Sequence, residues 1–174
     1  MTSWEVEKLQ ERLLALGAIE ILSGVIILVL GVFLGSLQGI FDFFGEFSFF
    51  TFYSGYTIWG PVCFISTGSL SIAVGRRPRK TLVDVNFWRY LFSAVIALLG
   101  VMVLSANLAL NNVWLEDCLY SESPDLCLYM GTSNNGLMSI MLIFTLLELC
   151  MTISMTIKKL TAFLVYWRDL VFAF

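Results

Sequence analysis

Two glutamates, Glu20 and Glu148, each lie inside a long apolar run of this 174-residue sequence. An ionised carboxylate is costly in an apolar medium, so acids in such positions are usually paired, protonated or functional. No lysine or arginine lies close to either glutamate in the sequence. We therefore expect the two acids to be protonated, to share a proton, or to use hydroxyl groups and water as partners.

Other catalytic chemistry is poorly supported. The sequence contains no histidine, which removes the commonest general base, the Ser–His and Cys–His nucleophile pairs and most zinc sites. Cys63 and Cys150 lie in apolar runs, where cysteine acts as a small packing residue. Most of the glycines also fall in apolar runs, where no phosphate could reach them, so a phosphate-binding loop is not predicted. No enzymatic activity, metal site or cofactor is predicted.

The elements that carry the two glutamates are apolar segments of membrane-spanning length. The chain is 59% hydrophobic and 13% charged, which is too little charge to cover a small water-soluble domain. A helix needs about 20 apolar residues to cross a bilayer. Four segments meet this requirement, at about residues 13–37, 56–74, 87–110 and 137–157. The prediction is a single all-α domain, a four-helix transmembrane bundle.

The charges predict how this bundle is oriented in the membrane. All ten lysines and arginines fall at the termini, at the start of the third span or in the loop at residues 75–86. The loops at residues 38–55 and 111–135 carry acids and no cations. Because cytosolic loops collect Lys and Arg, both termini are predicted to be cytosolic. The acidic pI of about 4.9 averages two unlike faces and does not indicate nucleic-acid binding.

A basic cluster follows the second span. Arg76, Arg77, Arg79 and Lys80 lie within five residues, with Pro78 among them to help end the helix. The simplest interpretation is a cytosolic anchor for a helical hairpin. A binding site for anionic lipid or for a protein is the alternative.

The two glutamates lie at similar depth, seven and nine residues from the predicted cytosolic edge of their spans. Hydroxyl residues lie at comparable depth in the second and third spans, and the predicted polar layer comprises Glu20, Ser66, Thr67, Ser93 and Glu148. One interpretation is a hydrogen-bonded layer that fixes the register of the helices. The other is a path for a cation or proton through the bundle.

Small residues recur along the predicted spans. Those expected to allow close helix contact are Gly17, Gly24, Gly31, Gly60, Gly68 and Gly100. The first three are seven residues apart and share one face of a helix. Small residues let membrane helices approach closely, either within one bundle or between copies of the chain.

The two outer loops differ in composition. Residues 38–55 are rich in phenylalanine, which favours contact with lipid headgroups or the second loop, or forms a surface for a partner. Residues 111–135 are polar and contain Cys118 and Cys127, both on the predicted oxidising side. A disulfide between them is expected.

The last stretch, KKLTAFLVYWRDLVFAF, follows the fourth span. Its large apolar residues recur at helical spacing, which is typical of a helix lying on the inner leaflet. A direct continuation of the fourth span fits the pattern equally well.

Three segments resemble the membrane-spanning 4-domains subfamily A family, which includes a B-lymphocyte antigen and the beta chain of the high-affinity IgE receptor. They are LGAIEILSGVIILVLG, GYTIWGPVCFISTGSLSIAVGRR and MSIMLIFTLLELCMTIS, and the resemblance covers residues 16–157. The GY-x-x-WG motif at Gly55 to Gly60 is among its most specific parts. The family commonly carries Gln where this chain has Glu20.

This resemblance implies a non-enzymatic plasma-membrane protein that modulates receptor signalling. It implies membrane lipid, a second copy of the chain or a cell-surface receptor as partners, and a cysteine pair at Cys118 and Cys127. The alternatives are a cation channel or regulator of calcium entry that uses Glu20 and Glu148, and a structural organiser of the membrane. The tyrosine signalling motif of the IgE receptor beta chain is absent, since Tyr166 is followed by WRDL.

Overall fold

The computed structural model describes residues 3–41, 55–77, 80–120 and 124–174. These ranges form four helices: α1 at Ser3–Phe41, α2 at Tyr56–Arg76, α3 at Lys80–Cys118 and α4 at Pro124–Ala173. Each helix contains a segment long and apolar enough to cross a membrane. The predicted all-α bundle with four membrane-spanning helices is therefore confirmed.

All four helices are longer than the predicted spans, α2 by two residues and the other three by many more. Much of the predicted outer loop at residues 111–135 is helical, because α3 continues to Cys118 and α4 already begins at Pro124. The 50 residues of α4 correspond to a length of about 75 Å, more than twice the hydrocarbon thickness of about 30 Å. A hydropathy run ends where the surroundings become polar, whereas a helix continues wherever its backbone bonds and packing allow.

The four helices form a closed ring. Helix α1 packs mainly on α2 and α3 mainly on α4, while contacts of α2 with α3 and of α1 with α4 complete the ring. Neighbouring helices are antiparallel, since Gly17 meets Gly68 near one end of the α1–α2 pair and Gly31 meets Thr57 near the other. The start of α1 and the end of α4 therefore lie at the same end of the bundle.

One buried seam runs along each helix, and its residues alternate in spacing between three and four. This average spacing of 3.5 residues is the repeat of left-handed coiled coils and four-helix bundles. The seams are Leu13, Gly17, Glu20, Gly24, Ile27 and Gly31 in α1; Thr57, Gly60, Phe64, Thr67, Ser71 and Val74 in α2; Tyr90, Ser93, Ala97, Gly100, Leu104, Asn107 and Asn111 in α3; and Met138, Met141, Thr145, Glu148, Thr152 and Met155 in α4.

The burial pattern is that of a protein dissolved in lipid. Large apolar side chains such as Leu22, Val29, Phe92 and Ile143 are mostly exposed on the outside. Many of the buried seam residues are polar. In a bilayer, apolar side chains gain nothing by leaving the lipid, so the interior is free to hold polar groups that bond to one another.

Helices α1 and α2 approach each other closely at Gly17 and Gly68. A Cβ atom on either glycine would lie 2.7 Å from the carbonyl oxygen of the other. Gly24 is similarly placed, since its Cβ would lie 3.0 Å from Ile65 and 3.2 Å from the Pro61 carbonyl oxygen. The seven-residue glycine spacing of α1 therefore lies against α2 within one chain.

Helix α2 begins at a glycine with a left-handed backbone. Gly55 has a φ of 66°, and its carbonyl oxygen accepts hydrogen bonds from the N–H groups of Ile58 at 3.0 Å and Trp59 at 3.2 Å. An L-amino acid with a side chain is strained at this φ, so glycine suits the position. At the other end, the Arg77 N–H donates to the Ala73 carbonyl oxygen at 3.0 Å.

Some predicted features lie outside the described residues. These are the phenylalanines at residues 43–52 of the first outer loop, together with Pro78 and Arg79 of the basic cluster. Arg76 and Arg77 are exposed at the end of α2, and α3 begins at Lys80. The last stretch of the sequence continues α4 without a break to Ala173, and its residues 160–173 are exposed.

Candidate functional site

The two glutamates lie on neighbouring helices in the middle of the bundle. Glu20 is on the seam of α1 and Glu148 on the seam of α4, and their side chains are 1% and 0% exposed. Neither glutamate forms an ion pair with a described side chain. The ion pair found among the described residues joins Arg168 to Asp169 on the surface. The site therefore holds two carboxyl groups without a neutralising cation among the described side chains.

Ser23 connects the two glutamate positions. Its hydroxyl group is hydrogen-bonded to the Glu148 carboxyl Oε1, and it lies 2.9 Å from the Ile19 carbonyl oxygen and 3.1 Å from that of Glu20. A serine hydroxyl has a single proton but can also accept. A protonated Glu148 can donate to Ser23 while Ser23 donates to a carbonyl oxygen of α1. This arrangement satisfies both groups without a buried charge.

Glu20 is buried, and its Cβ lies against α2 at Gly68. A Cβ atom on Gly68 would lie 3.1 Å from the Cβ of Glu20, so the absence of a side chain at Gly68 leaves room for the glutamate. Neither Glu20 carboxyl oxygen has a hydrogen-bond partner among the described residues. The second carboxyl oxygen of Glu148, Oε2, also has no hydrogen-bond partner among the described residues. Buried polar atoms of this kind usually bond to water or to a ligand.

The three hydroxyl residues of the predicted layer differ in burial and in hydrogen bonding. Thr67 is buried, and its hydroxyl group donates to the Cys63 carbonyl oxygen at 2.9 Å. Ser93 is buried, with its hydroxyl unpaired among the described residues. Ser66 lies off the seam, half-buried, and donates to the Val62 carbonyl oxygen of its own helix at 2.8 Å.

Tyr56 adds a contact that crosses the bundle. Its buried ring lies against Gly100 of α3, and its hydroxyl group lies 3.1 Å from Thr145 Oγ1 of α4. Thr145 in turn donates to the Met141 carbonyl oxygen at 2.8 Å, so Tyr56 is the donor to Thr145. Thr145 is one helical turn from Glu148. The tyrosine therefore ties α2 and α4 together directly beside the carboxyl groups.

Polar contacts continue toward both ends of the bundle. Near the termini, the Tyr90 hydroxyl is hydrogen-bonded to that of Ser71, and Lys159 Nζ lies 5.4 Å from the centre of the Tyr90 ring. At the opposite end, Asn111 donates to the Gly131 carbonyl oxygen and to Asn135 Oδ1, both at 3.1 Å. Helices α3 and α4 are thus joined at each end, by the Lys159–Tyr90 contact near the termini and by the Asn111 hydrogen bonds at the opposite end.

Sequence reasoning missed Ser23, Tyr56, Thr145 and Tyr90. Thr145 lies three residues before Glu148, and Ser23 three residues after Glu20, so each shares a helical face with its glutamate. The spacing of three and four residues along each seam is the sequence pattern that could have indicated that Thr145 and Tyr90 are buried. Nothing in the sequence around Tyr56 indicates that its ring crosses to α4, because that contact depends on Gly100 of another helix.

The structure describes three of the four cysteine side chains. Cys127 is disulfide-bonded, while Cys63 and Cys150 are free. The side chain of Cys118 lies outside the described side chains, so its pairing with Cys127 stays a prediction. Within the described ranges, no three His, Cys, Asp or Glu side chains are grouped so as to hold a metal ion.

Comparison with known proteins decides the family. The model of the CD20-like family matches residues 15–160. The chain belongs to this family. It is 54% identical over 144 residues to human membrane-spanning 4-domains subfamily A member 3, and the match covers 82% of this chain and 67% of that protein. The mouse protein of the same name is 50% identical over 142 residues, with the same two shares covered.

A receptor subunit is also among the CD20-like relatives. The mouse high affinity immunoglobulin epsilon receptor subunit beta is 30% identical over 152 residues, a match that covers 87% of this chain and 64% of that protein. The resemblance seen in the sequence is confirmed by these matches. Family membership and the four spanning helices together establish a multi-pass membrane protein.

Proposed function

We propose that this protein is a non-enzymatic accessory subunit that modulates the signalling of a cell-surface receptor in the plasma membrane. The observation that carries the proposal is the 30% identity, over 87% of this chain, to a protein named as the beta subunit of the high-affinity immunoglobulin epsilon receptor. The shared region includes the spans. If the two proteins have a common role, we therefore expect the lateral surfaces of the bundle to carry it.

The form of the bundle supports this role. Many of its polar side chains are buried inside, and its outer faces present large apolar side chains along the length of the spans. Such a surface suits lateral contact with the spans of another membrane protein or with a second copy of the chain. A homodimer or a hetero-oligomer with a receptor is accordingly part of the proposal.

Isolation of the tagged full chain from its native membrane in a mild detergent tests this role. We expect a receptor chain to co-purify in a fixed ratio, and deletion of the protein to change that receptor's signalling. Recovery of the protein alone, together with unchanged receptor signalling after deletion, would refute it. Stable lateral partners without any signalling effect would instead indicate a structural organiser of the membrane.

A second candidate is a path for a cation or proton through the bundle. The observation that favours it is the pair of buried carboxyl groups, with Ser23 bonded to Glu148 and the oxygens of Glu20 without a described partner. Glu148→Gln keeps the shape of the side chain and removes its proton exchange. Reduced ion flux in reconstituted liposomes, with unchanged thermal stability, would support the path. Equal flux through both proteins would exclude it.

A further inference from the structure

A groove of about 580 Å³ lies on the outer side of α3, close to the end of the bundle where the chain termini lie. It is lined by Trp88, Arg89, Leu91, Phe92 and Val95. All five residues come from the first turns of α3 that enter the predicted span, since the apolar part of this helix begins at Phe87. The groove is thus on the membrane-facing surface, away from the glutamate layer.

The lining combines one cation with a strip of apolar side chains. Trp88, Phe92 and Val95 are spaced by four and three residues, so they share one face of α3. Their side chains are 68%, 59% and 51% exposed, which places that face toward lipid. Tryptophan is enriched at the level of the headgroups, and the residues after it point deeper into the hydrocarbon.

Arg89 lies at the polar end of this strip. It is only two residues, or about 3 Å of helix, past Phe87, so Arg89 lies near the end of the span, and an arginine there can extend its side chain to the headgroups. Within the described parts of the chain Arg89 forms no ion pair. A guanidinium matches the geometry of a phosphate through two parallel hydrogen bonds. The phosphate of a membrane lipid carries the charge that complements this side chain.

We propose that this groove binds one anionic phospholipid of the leaflet on the side of the termini. Arg89 holds the lipid phosphate, Trp88 packs beside the headgroup, and an acyl chain runs along Leu91, Phe92 and Val95. The proposal goes beyond the accessory role and does not depend on it. It also differs from a general attraction of the basic end of the bundle for anionic lipid, because it assigns binding to one arginine.

The test is a titration of the purified full chain in detergent with phosphatidylserine, with bound lipids counted by native mass spectrometry. For Arg89→Gln we expect about tenfold weaker binding, the usual effect of losing one charge-assisted hydrogen-bonding contact. Arg12→Gln is the matched control, since Arg12 is also an exposed cation at the same end of the bundle but lies on α1, outside the basic cluster. Its binding constant should be unchanged.

A second variant tests the apolar part without altering charge. Val95→Trp fills the groove from an exposed position and should also weaken phosphatidylserine binding. Added inorganic phosphate should not displace the lipid, because the acyl contacts are missing from it. Equal losses in Arg89→Gln and Arg12→Gln, full binding by Val95→Trp, or displacement by phosphate would each overturn the proposal.

Discussion

Replacement of Gly68 by alanine is expected to weaken the contact between α1 and α2. The new Cβ would lie 2.7 Å from the Gly17 carbonyl oxygen, 2.9 Å from Ile21 Cγ1 and 3.1 Å from Glu20 Cβ. Ordinary contact begins at 3.4 Å, so the first of these distances is 0.7 Å too short. Because the opposing oxygen belongs to the backbone, the two helices must separate. Overpacking of this kind costs about 1–3 kcal/mol.

The matched control is Gly136→Ala. A Cβ on Gly136 would meet no atom within 4 Å, and alanine in a helix is favoured over glycine by up to about 1 kcal/mol. Thermal unfolding in detergent should therefore rank Gly136→Ala at or above the wild type and Gly68→Ala below it. Equal stability of the two variants would refute the inference that backbone contact at Gly68 holds α1 against α2.

Three further changes test the polar interior and the disulfide. Tyr56→Phe removes the donor to Thr145 and should lower the free energy of unfolding by about 0.6 kcal/mol, the average for hydrogen bonds between membrane helices. Ser23→Ala leaves a Glu148 oxygen buried without its partner and should cost about 1–3 kcal/mol. Cys127→Ser removes the disulfide and should cost about 2–4 kcal/mol, seen as a lower unfolding temperature in the absence of reductant.

Each of these changes has its own control. Tyr120→Phe alters a tyrosine that is 91% exposed and should leave stability unchanged. For Ser23→Ala, the control is a double-mutant cycle with Glu148→Leu, in which an undiminished effect would show that the serine acts independently of the glutamate. For Cys127→Ser, reductant should lower the stability of the wild type and leave the variant unaffected. Sensitivity of the variant to reductant would contradict the assignment.

The sequence indicates that Glu20 and Glu148 are unusual, because a carboxyl group within a long apolar run has few acceptable surroundings. It does not indicate the partners of these groups. Serine and threonine satisfy themselves on their own helix, as Ser66 does, so a hydroxyl bonded across helices looks the same in the sequence. Ser23 and Ser66 are distinguished only once the packing of α1 and α4 is known.

The positions of the helix ends also could not be predicted from hydropathy. Apolar runs report the surrounding solvent and not the ends of the helices, and so they do not indicate that α3 continues to Cys118 or that α4 already includes Pro124. Asn111 and Asn135 hold the outer turns of α3 and α4 together with amide contacts that carry no hydropathy signal. The crossing of Tyr56 to Thr145 depends on space left by Gly100, which involves three helices at once.

Helix α4 continues without interruption far beyond Glu148, so its two ends are coupled mechanically. From Glu148 to Ala173 the helix runs for 25 residues, about 37 Å, without a break. A rigid rod of that length that tilts by about 5° at the glutamate displaces its tip by roughly 3 Å. Any tilt of α4 about Glu148 would therefore move the far end of the helix, where Trp167 and Phe172 are exposed, much further than the glutamate itself.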